Sequence, residues 1–148
     1  MSKTTAMLES SHFHPMTVHF PIAIILIGFL IDLISVFSKK EPCFSRMSYY
    51  LEIIGMVAAI VAFGTGYYFT SPMQGEAGLI RDEHKLFATL TLVFIILATT
   101  FRVLLVYLKK EETYLMWIAR GFYLMSFIFV AYTGYLGGHM VMDYMIGL

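Results

Sequence analysis

Residues 14–23 read His-Pro-Met-Thr-Val-His-Phe-Pro-Ile-Ala and open an apolar run that extends from Phe20 to Phe37. About 20 helical residues cross the hydrocarbon core of a bilayer, so this stretch has the length of a membrane span. Pro15 suits the first turn of a helix, and Pro21 lies further in. The stretch therefore predicts a membrane helix with two imidazole groups at its mouth.

The composition of the whole chain is that of a membrane protein. Of its 148 residues, 59% are hydrophobic and 14% are charged, whereas soluble domains carry about 25% charged residues. The net charge is zero, so nothing points to nucleic acid as a partner. The length fits a single transmembrane domain, residues 1–148, whose partner is the lipid bilayer. We expect four spans, at roughly 16–37, 49–69, 86–108 and 114–136.

Basic residues predict how the chain lies in the membrane. Two short loops on one side carry Lys39, Lys40, Arg46, Lys109 and Lys110, and the other side carries Lys3, Arg81 and Lys85. Because cytoplasmic loops are enriched in lysine and arginine, we expect both short loops in the cytoplasm. This orientation predicts a bacterial inner-membrane protein with periplasmic termini and four histidines at its outer face: His14, His19, His84 and His139.

The chain contains an internal repeat. An offset of 70 residues places His14 on His84 and also Lys39-Lys40-Glu41 on Lys109-Lys110-Glu111. With two residues fewer, residues 65–67 fall on residues 133–135, both reading Thr-Gly-Tyr. Parallel repeats of this kind occur in membrane proteins and place shared sites at their interface. We therefore predict an all-α, up-down-up-down four-helix bundle of two helical hairpins, related by a pseudo-two-fold axis along the membrane normal.

The repeat also relates four charged residues inside the spans. Asp32 falls on Arg102, and Glu52 falls on Arg120. A charge at the centre of a bilayer costs about 2.5–3.5 kcal/mol on insertion scales, so such groups pair inside the bundle. We expect structural ion pairs here, and the alternative is a proton path or a site for an anionic ligand.

Span 2 is rich in small residues at intervals of four. Gly55 and Ala59 form one series, and Ala58, Ala62 and Gly66 form another. This spacing lets membrane helices approach each other closely. We therefore expect span 2 to pack against its neighbours through this face.

These residues together resemble a bacterial membrane family named domain of unknown function 2231. The resemblance rests on the His-Pro-x-x-Val-His-Phe-Pro-Ile pattern of residues 14–22, on Asp32, on His84 at the start of span 3, and on residues 137–141. It covers nearly the whole chain, although Met142 stands where the family tends to have a tyrosine. The resemblance implies a four-helix membrane protein. The family brings no established activity and is grouped near dihaem membrane cytochromes.

Haem b is the first cofactor that these histidines suggest. A bis-histidine haem needs two imidazoles from different helices that point into the core of a bundle. His14 or His19 together with His84 meets this requirement, and His139 would be a further ligand or would bind a propionate. Such a haem near the outer face would exchange electrons with quinol or with a periplasmic redox protein.

A bare metal site on the same four histidines is the first alternative. Imidazole with thioether ligands suits copper, and imidazole with carboxylates suits zinc or iron. The predicted outer face also collects further candidate ligands: His12, Met16, Met73, Met140, Met142, Met145, Asp82, Glu83 and Asp143.

The second alternative is a non-catalytic accessory subunit of a homo-oligomer or a larger membrane complex. Its histidines would then be hydrogen-bonding groups at the interface. No nucleophile motif accompanies the histidines, so the sequence assigns no catalytic residue.

Overall fold

The computed structural model describes residues 13–38, 40–70, 73–111 and 113–144. Within these ranges the chain forms four long helices and no strand. The helices are α1 (Phe13–Phe37), α2 (Pro42–Phe69), α3 (Gly75–Tyr107) and α4 (Leu115–Tyr144). All four are long and apolar enough to cross a membrane. The prediction of an all-α membrane bundle is confirmed.

Short connections make each helix antiparallel to the next. Helix α1 packs most closely on α2, and α3 packs most closely on α4, while α2–α3 and α1–α4 form smaller interfaces. The four helices therefore form a square in which α1 and α3 lie on one diagonal. We call the end where α1 and α3 begin the histidine end, and the opposite end the loop end. The predicted two-fold axis stays a prediction.

The helices are longer than the predicted spans, most clearly at the start of α3. The connection expected over residues 70–83 is shorter in the structure, because α3 already begins at Gly75. Gly75 has a φ of 69°, a conformation that glycine adopts without strain. Glu76 lies in the first turn, where a negative charge favours the helix N-terminus. The two glycines read as loop residues thus lie at the start of a helix.

The small residues of α2 face the centre of the bundle. Gly55, Ala59 and Ala62 are buried, and a Cβ added at Gly55 would lie 2.9 Å from Cγ1 of Ile25. Ile25 and Ile95 are fully buried, so side chains of α1 and α3 fill the middle of the bundle. The close approach expected from the spacing of small residues is present between α1 and α2.

Candidate functional site

His14 and His84, two of the four predicted ligands, meet across the diagonal of the bundle. His14 lies in the first turn of α1 and His84 in the third turn of α3. Their ring centroids are 6.3 Å apart and their ring planes are at 86° to each other. Both side chains are half-buried. The histidine end therefore holds a pair of imidazoles contributed by two helices that otherwise barely touch.

A backbone carbonyl fixes the orientation of His84. Its Nδ1–H donates to the carbonyl oxygen of Thr133 at 3.1 Å. Because a carbonyl can only accept, the proton of the neutral ring is on Nδ1 and Nε2 keeps a free lone pair. Metal-binding histidines have this arrangement, since the second hydrogen bond sets both the tautomer and the direction of the ring. His84 thus offers Nε2 as a ligand.

A threonine hydroxyl fixes His14 in a similar way. Nδ1 of His14 lies 3.1 Å from Oγ1 of Thr65, and this hydroxyl donates to the carbonyl of Ala62 at 2.8 Å. A hydroxyl has one proton, so His14 is the donor in its bond to Thr65. Thr17 lies 2.9 Å from the Thr65 hydroxyl and donates to the His14 carbonyl at 3.0 Å. Nε2 of His14 therefore also keeps its lone pair.

Glycines make room for both rings. A Cβ added at Gly66 would lie 2.8 Å from Cε1 of His14, and a Cβ at Gly137 would lie 3.4 Å from Cε1 of His84. The His14 ring packs on the bare backbone of α2, so a side chain at position 66 would displace it. At position 137 the contact is tight, and an added methyl group would still touch the ring.

The other two predicted ligands lie at the surface of the bundle. His19 is exposed, and its Nδ1–H donates to the carbonyl of Pro15 in its own helix at 2.6 Å. The His139 side chain is 41% exposed, and its Nδ1 lies 2.7 Å from the carboxylate of Asp143. The ring of His139 also stacks on Tyr135, with 6.2 Å between centroids. The structure thus joins His14 to His84 and leaves His19 and His139 outside this pair.

The other candidate ligands do not add to the histidine pair. Within the described ranges, no group of three or more His, Cys, Asp or Glu side chains could hold a metal ion. Met16 and Met142 are 68% and 81% exposed, and Met140 is buried. His12 and Met145 lie outside the residues that the structure describes.

A network of buried charges lies toward the loop end. Nη1 of Arg102 is 2.9 Å from Oδ1 of Asp32 and 2.9 Å from Oε2 of Glu52. Its Nη2 donates to the hydroxyl of Ser48 at 2.7 Å and to the carbonyl of Ser45 at 3.1 Å. The network ties α1, α2 and α3 together at one level of the bundle.

Arg120 extends this network to α4. Its Nε donates to Oδ2 of Asp32 at 3.1 Å, and its guanidinium lies over the ring of Trp117, 5.2 Å from the ring centre. Asp32 therefore binds both arginines, while Glu52 binds Arg102 alone. The four charges form one connected group, which avoids the cost of an unpaired charge in the bilayer and fixes the register of the helices.

Three polar atoms near this network are buried and have no hydrogen-bond partner among the described residues: Glu52 Oε1, Thr99 Oγ1 and Tyr123 Oη. The charges of Glu52, Arg102 and Asp32 all act on Tyr123. The Tyr123 hydroxyl lies where a Cβ of residue 28 would be, so it fits only because Gly28 has no side chain.

Comparison with known proteins identifies the family. A family described as "Predicted membrane protein (DUF2231)" matches residues 11–148. The chain belongs to the DUF2231 family. This confirms the resemblance inferred from the opening motif and the histidines. Comparisons with curated proteins and with solved structures gave no match. The family description places DUF2231 proteins in a membrane and names no ligand.

The sequence of this DUF2231 chain contained a signal for the partners of the histidines that its interpretation did not use. The repeat already matched Thr65 with Thr133, and these two residues hold His14 and His84. Their role was missed because the repeat was treated as a clue to topology only. The burial of Tyr123 against Gly28 had no comparable signal, since many apolar spans contain both residue types.

Proposed function

We propose that this protein is a small membrane electron carrier that binds haem b through Nε2 of His14 and Nε2 of His84. The observation that carries the proposal is the spacing of these imidazoles, 6.3 Å between ring centroids across the diagonal of the bundle. Haem held by two imidazoles takes up and releases one electron at a time. The residues of the chain bind the iron, set the direction of each ring and shield the site.

The spacing has the value that a shared metal requires. Imidazole nitrogen binds a metal at about 2.0–2.1 Å, and a ring nitrogen lies about 1.1 Å from the centre of its ring. Two imidazoles on opposite sides of one metal therefore have ring centres about 6.3 Å apart. The rings of His14 and His84 match this distance. Their perpendicular planes are also compatible, because each ring can rotate about its own bond to the metal.

The number of ligands favours haem over a bare ion. The macrocycle supplies four nitrogens, so a haem iron needs only two ligands from the protein. Zinc and most other transition-metal ions take three or four protein ligands. The described residues bring two imidazoles together, and both have the Nδ1 hydrogen bond that supports a metal-binding histidine.

The location of the pair suggests the electron-transfer partners. We place the loop end in the cytoplasm, because Lys40, Arg46, Lys109 and Lys110 lie there. The histidine end would then lie at the periplasmic face of a bacterial inner membrane. A haem at this depth would exchange electrons with quinol from the bilayer or with a periplasmic redox protein. His139 would bind a propionate only if it first released Asp143.

The test is the haem content of four single variants produced with ample haem. His14→Ala and His84→Ala should each lose the haem, whereas His19→Ala and His139→Ala should retain it at about one per chain. His19 is a matched control, because it is a histidine of the same helix that is exposed and bonded only to its own helix. Equal haem content in all four variants and the wild type would contradict the proposal.

A copper ion between the same two imidazoles is the second candidate, and it rests on the same spacing. Two nitrogen ligands in a straight line suit a monovalent soft ion better than zinc or iron. Metal analysis separates the two functions, since a copper protein would contain one copper per chain and show no Soret band. A colourless and metal-free protein that copurifies with partners would instead be an accessory subunit.

A further inference from the structure

A groove of about 220 Å³ opens between α1 and α4 toward the lipid side, near the loop end of the bundle. Its walls are apolar and come from Phe29, Leu33, Val36, Trp117 and Leu124, and the charged side chains of Asp32 and Arg120 line it as well. A groove at the membrane-facing surface always has lipid beside it. The ligand that enters must therefore combine an apolar part with a polar group.

Gly121 keeps the groove open. A Cβ added at this position would have no heavy atom within 4 Å, and Gly121 is one of the residues that line the groove. A large side chain at position 121 would thus fill the groove without disturbing the contacts between helices. Gly64 of α2 is equally open on another face of the bundle, which makes it a matched position for control substitutions.

Arg120 has hydrogen-bonding capacity that the protein does not use. Its Nε donates to Asp32, while no hydrogen bond joins its two Nη groups to a described residue. The Arg120 side chain is 21% exposed, so these donors can reach a ligand in the groove. A guanidinium only donates, and the ligand must therefore present acceptor oxygens, preferably with negative charge.

We infer that this groove is a binding site for an anionic phospholipid, with its phosphate on the Nη groups of Arg120 and an acyl chain along Phe29, Leu33 and Leu124. Arg120 lies about 7–8 Å along α4 from its start, a depth from which an arginine side chain reaches the headgroup level. Basic pockets between membrane helices bind such headgroups. The exposed Lys40, Arg46, Lys109 and Lys110 at the same end would attract anionic lipids.

The test measures binding of phosphatidylglycerol and phosphatidylcholine to the purified full chain in detergent by native mass spectrometry. Wild-type protein should retain phosphatidylglycerol at least about tenfold more tightly than phosphatidylcholine, the factor expected from one charge-assisted contact. Arg120→Gln and Gly121→Leu should each remove this preference. Arg46→Gln and Gly64→Leu, which alter an exposed charge and an open glycine elsewhere, should keep it.

Two results would overturn the inference. One is an unchanged preference in Gly121→Leu, which tests the groove even if Arg120→Gln fails to fold. The other is full competition by inorganic phosphate at equal concentration, which would assign the site to free phosphate. The inference is independent of the haem proposal, because the groove lies toward the opposite end of the bundle.

Discussion

The rings of His14 and His84 face each other with 6.3 Å between centroids, and the two residues occupy equivalent positions of the sequence repeat. The same offset of 70 residues relates Asp32 and Arg102, which lie 2.9 Å apart toward the other end of the bundle. Helices α1 and α3 thus run parallel and in register along the diagonal. One contact between them is a potential ligand pair, and the other is an ion pair that holds the register.

Replacing Thr65 with valine should weaken haem binding about 10–100-fold, the usual effect of removing a group that supports a metal ligand. The change keeps the shape of the side chain but removes the acceptor for Nδ1 of His14. Haem titration of the apoprotein measures the effect. Thr89→Val is the control, since Thr89 bonds only to the Lys85 carbonyl of its own helix. Equal affinities in both variants would separate Thr65 from the haem site.

Adding a single methyl group at position 66 should displace His14. Its Cβ would lie 2.8 Å from Cε1 of the ring, and overpacking of this kind costs about 1–3 kcal/mol. Gly66→Ala should therefore bind less haem and unfold at a lower temperature. Gly64→Ala places a methyl group two residues away in open space and should leave both properties unchanged. Normal haem content in Gly66→Ala would show that the His14 ring lies elsewhere.

Removing Arg102 should destabilise the bundle far more than removing Arg120. Arg102→Met leaves the carboxylates of Asp32 and Glu52 buried with one cationic partner fewer, a defect that costs about 3–5 kcal/mol. Arg120→Gln loses one bond of a partly exposed side chain and should cost about 1 kcal/mol. The free energy of unfolding in detergent micelles, titrated with a denaturing detergent, measures both. Equal losses would contradict the central position of Arg102.

Tyr123→Phe should be neutral or stabilising, although Tyr123 is only 1% exposed. Its hydroxyl has no partner among the described residues, so the substitution removes an unsatisfied polar group and breaks no bond. Gly28→Ala alone should be destabilising, because its Cβ would meet that hydroxyl oxygen.

The double variant tests whether the two positions interact directly. With phenylalanine at position 123, the nearest ring atom to a Cβ of residue 28 would be Cζ at 3.6 Å, an ordinary contact. Tyr123→Phe should therefore reduce the cost of Gly28→Ala, although Cβ of Leu51 at 3.0 Å still opposes the methyl group. A double-mutant cycle measures this coupling. Strict additivity of the two single changes would contradict the contact.

The sequence was sufficient to predict the four membrane helices and the face on which α2 packs. Both follow from local properties: the length of apolar runs and the spacing of Gly55, Ala59 and Ala62. The start of α3 was not predicted, because Gly75 and Gly78 favour turns in isolation. In the structure Gly75 occupies the entry to the helix, where its positive φ is required.

Which histidines meet could not be predicted, because the answer depends on how each helix is rotated. His14 and His19 are five positions apart, which separates them by about 140° around a helix. Only one of them can therefore face the core, and the sequence does not say which. In the same way, the pairing of Arg102 with both Asp32 and Glu52 depends on the relative height of three helices. Such information lies in tertiary packing and is absent from the spacing of residues in one span.

The absorption spectrum of the detergent-purified wild-type protein, as isolated and after reduction with dithionite, is the most direct test of the haem proposal. We predict a Soret band that sharpens on reduction, with resolved alpha and beta peaks, because two imidazoles would bind one iron. A protein produced with ample haem that shows no Soret band, before or after reduction, would contradict the assignment of His14 and His84 as haem ligands.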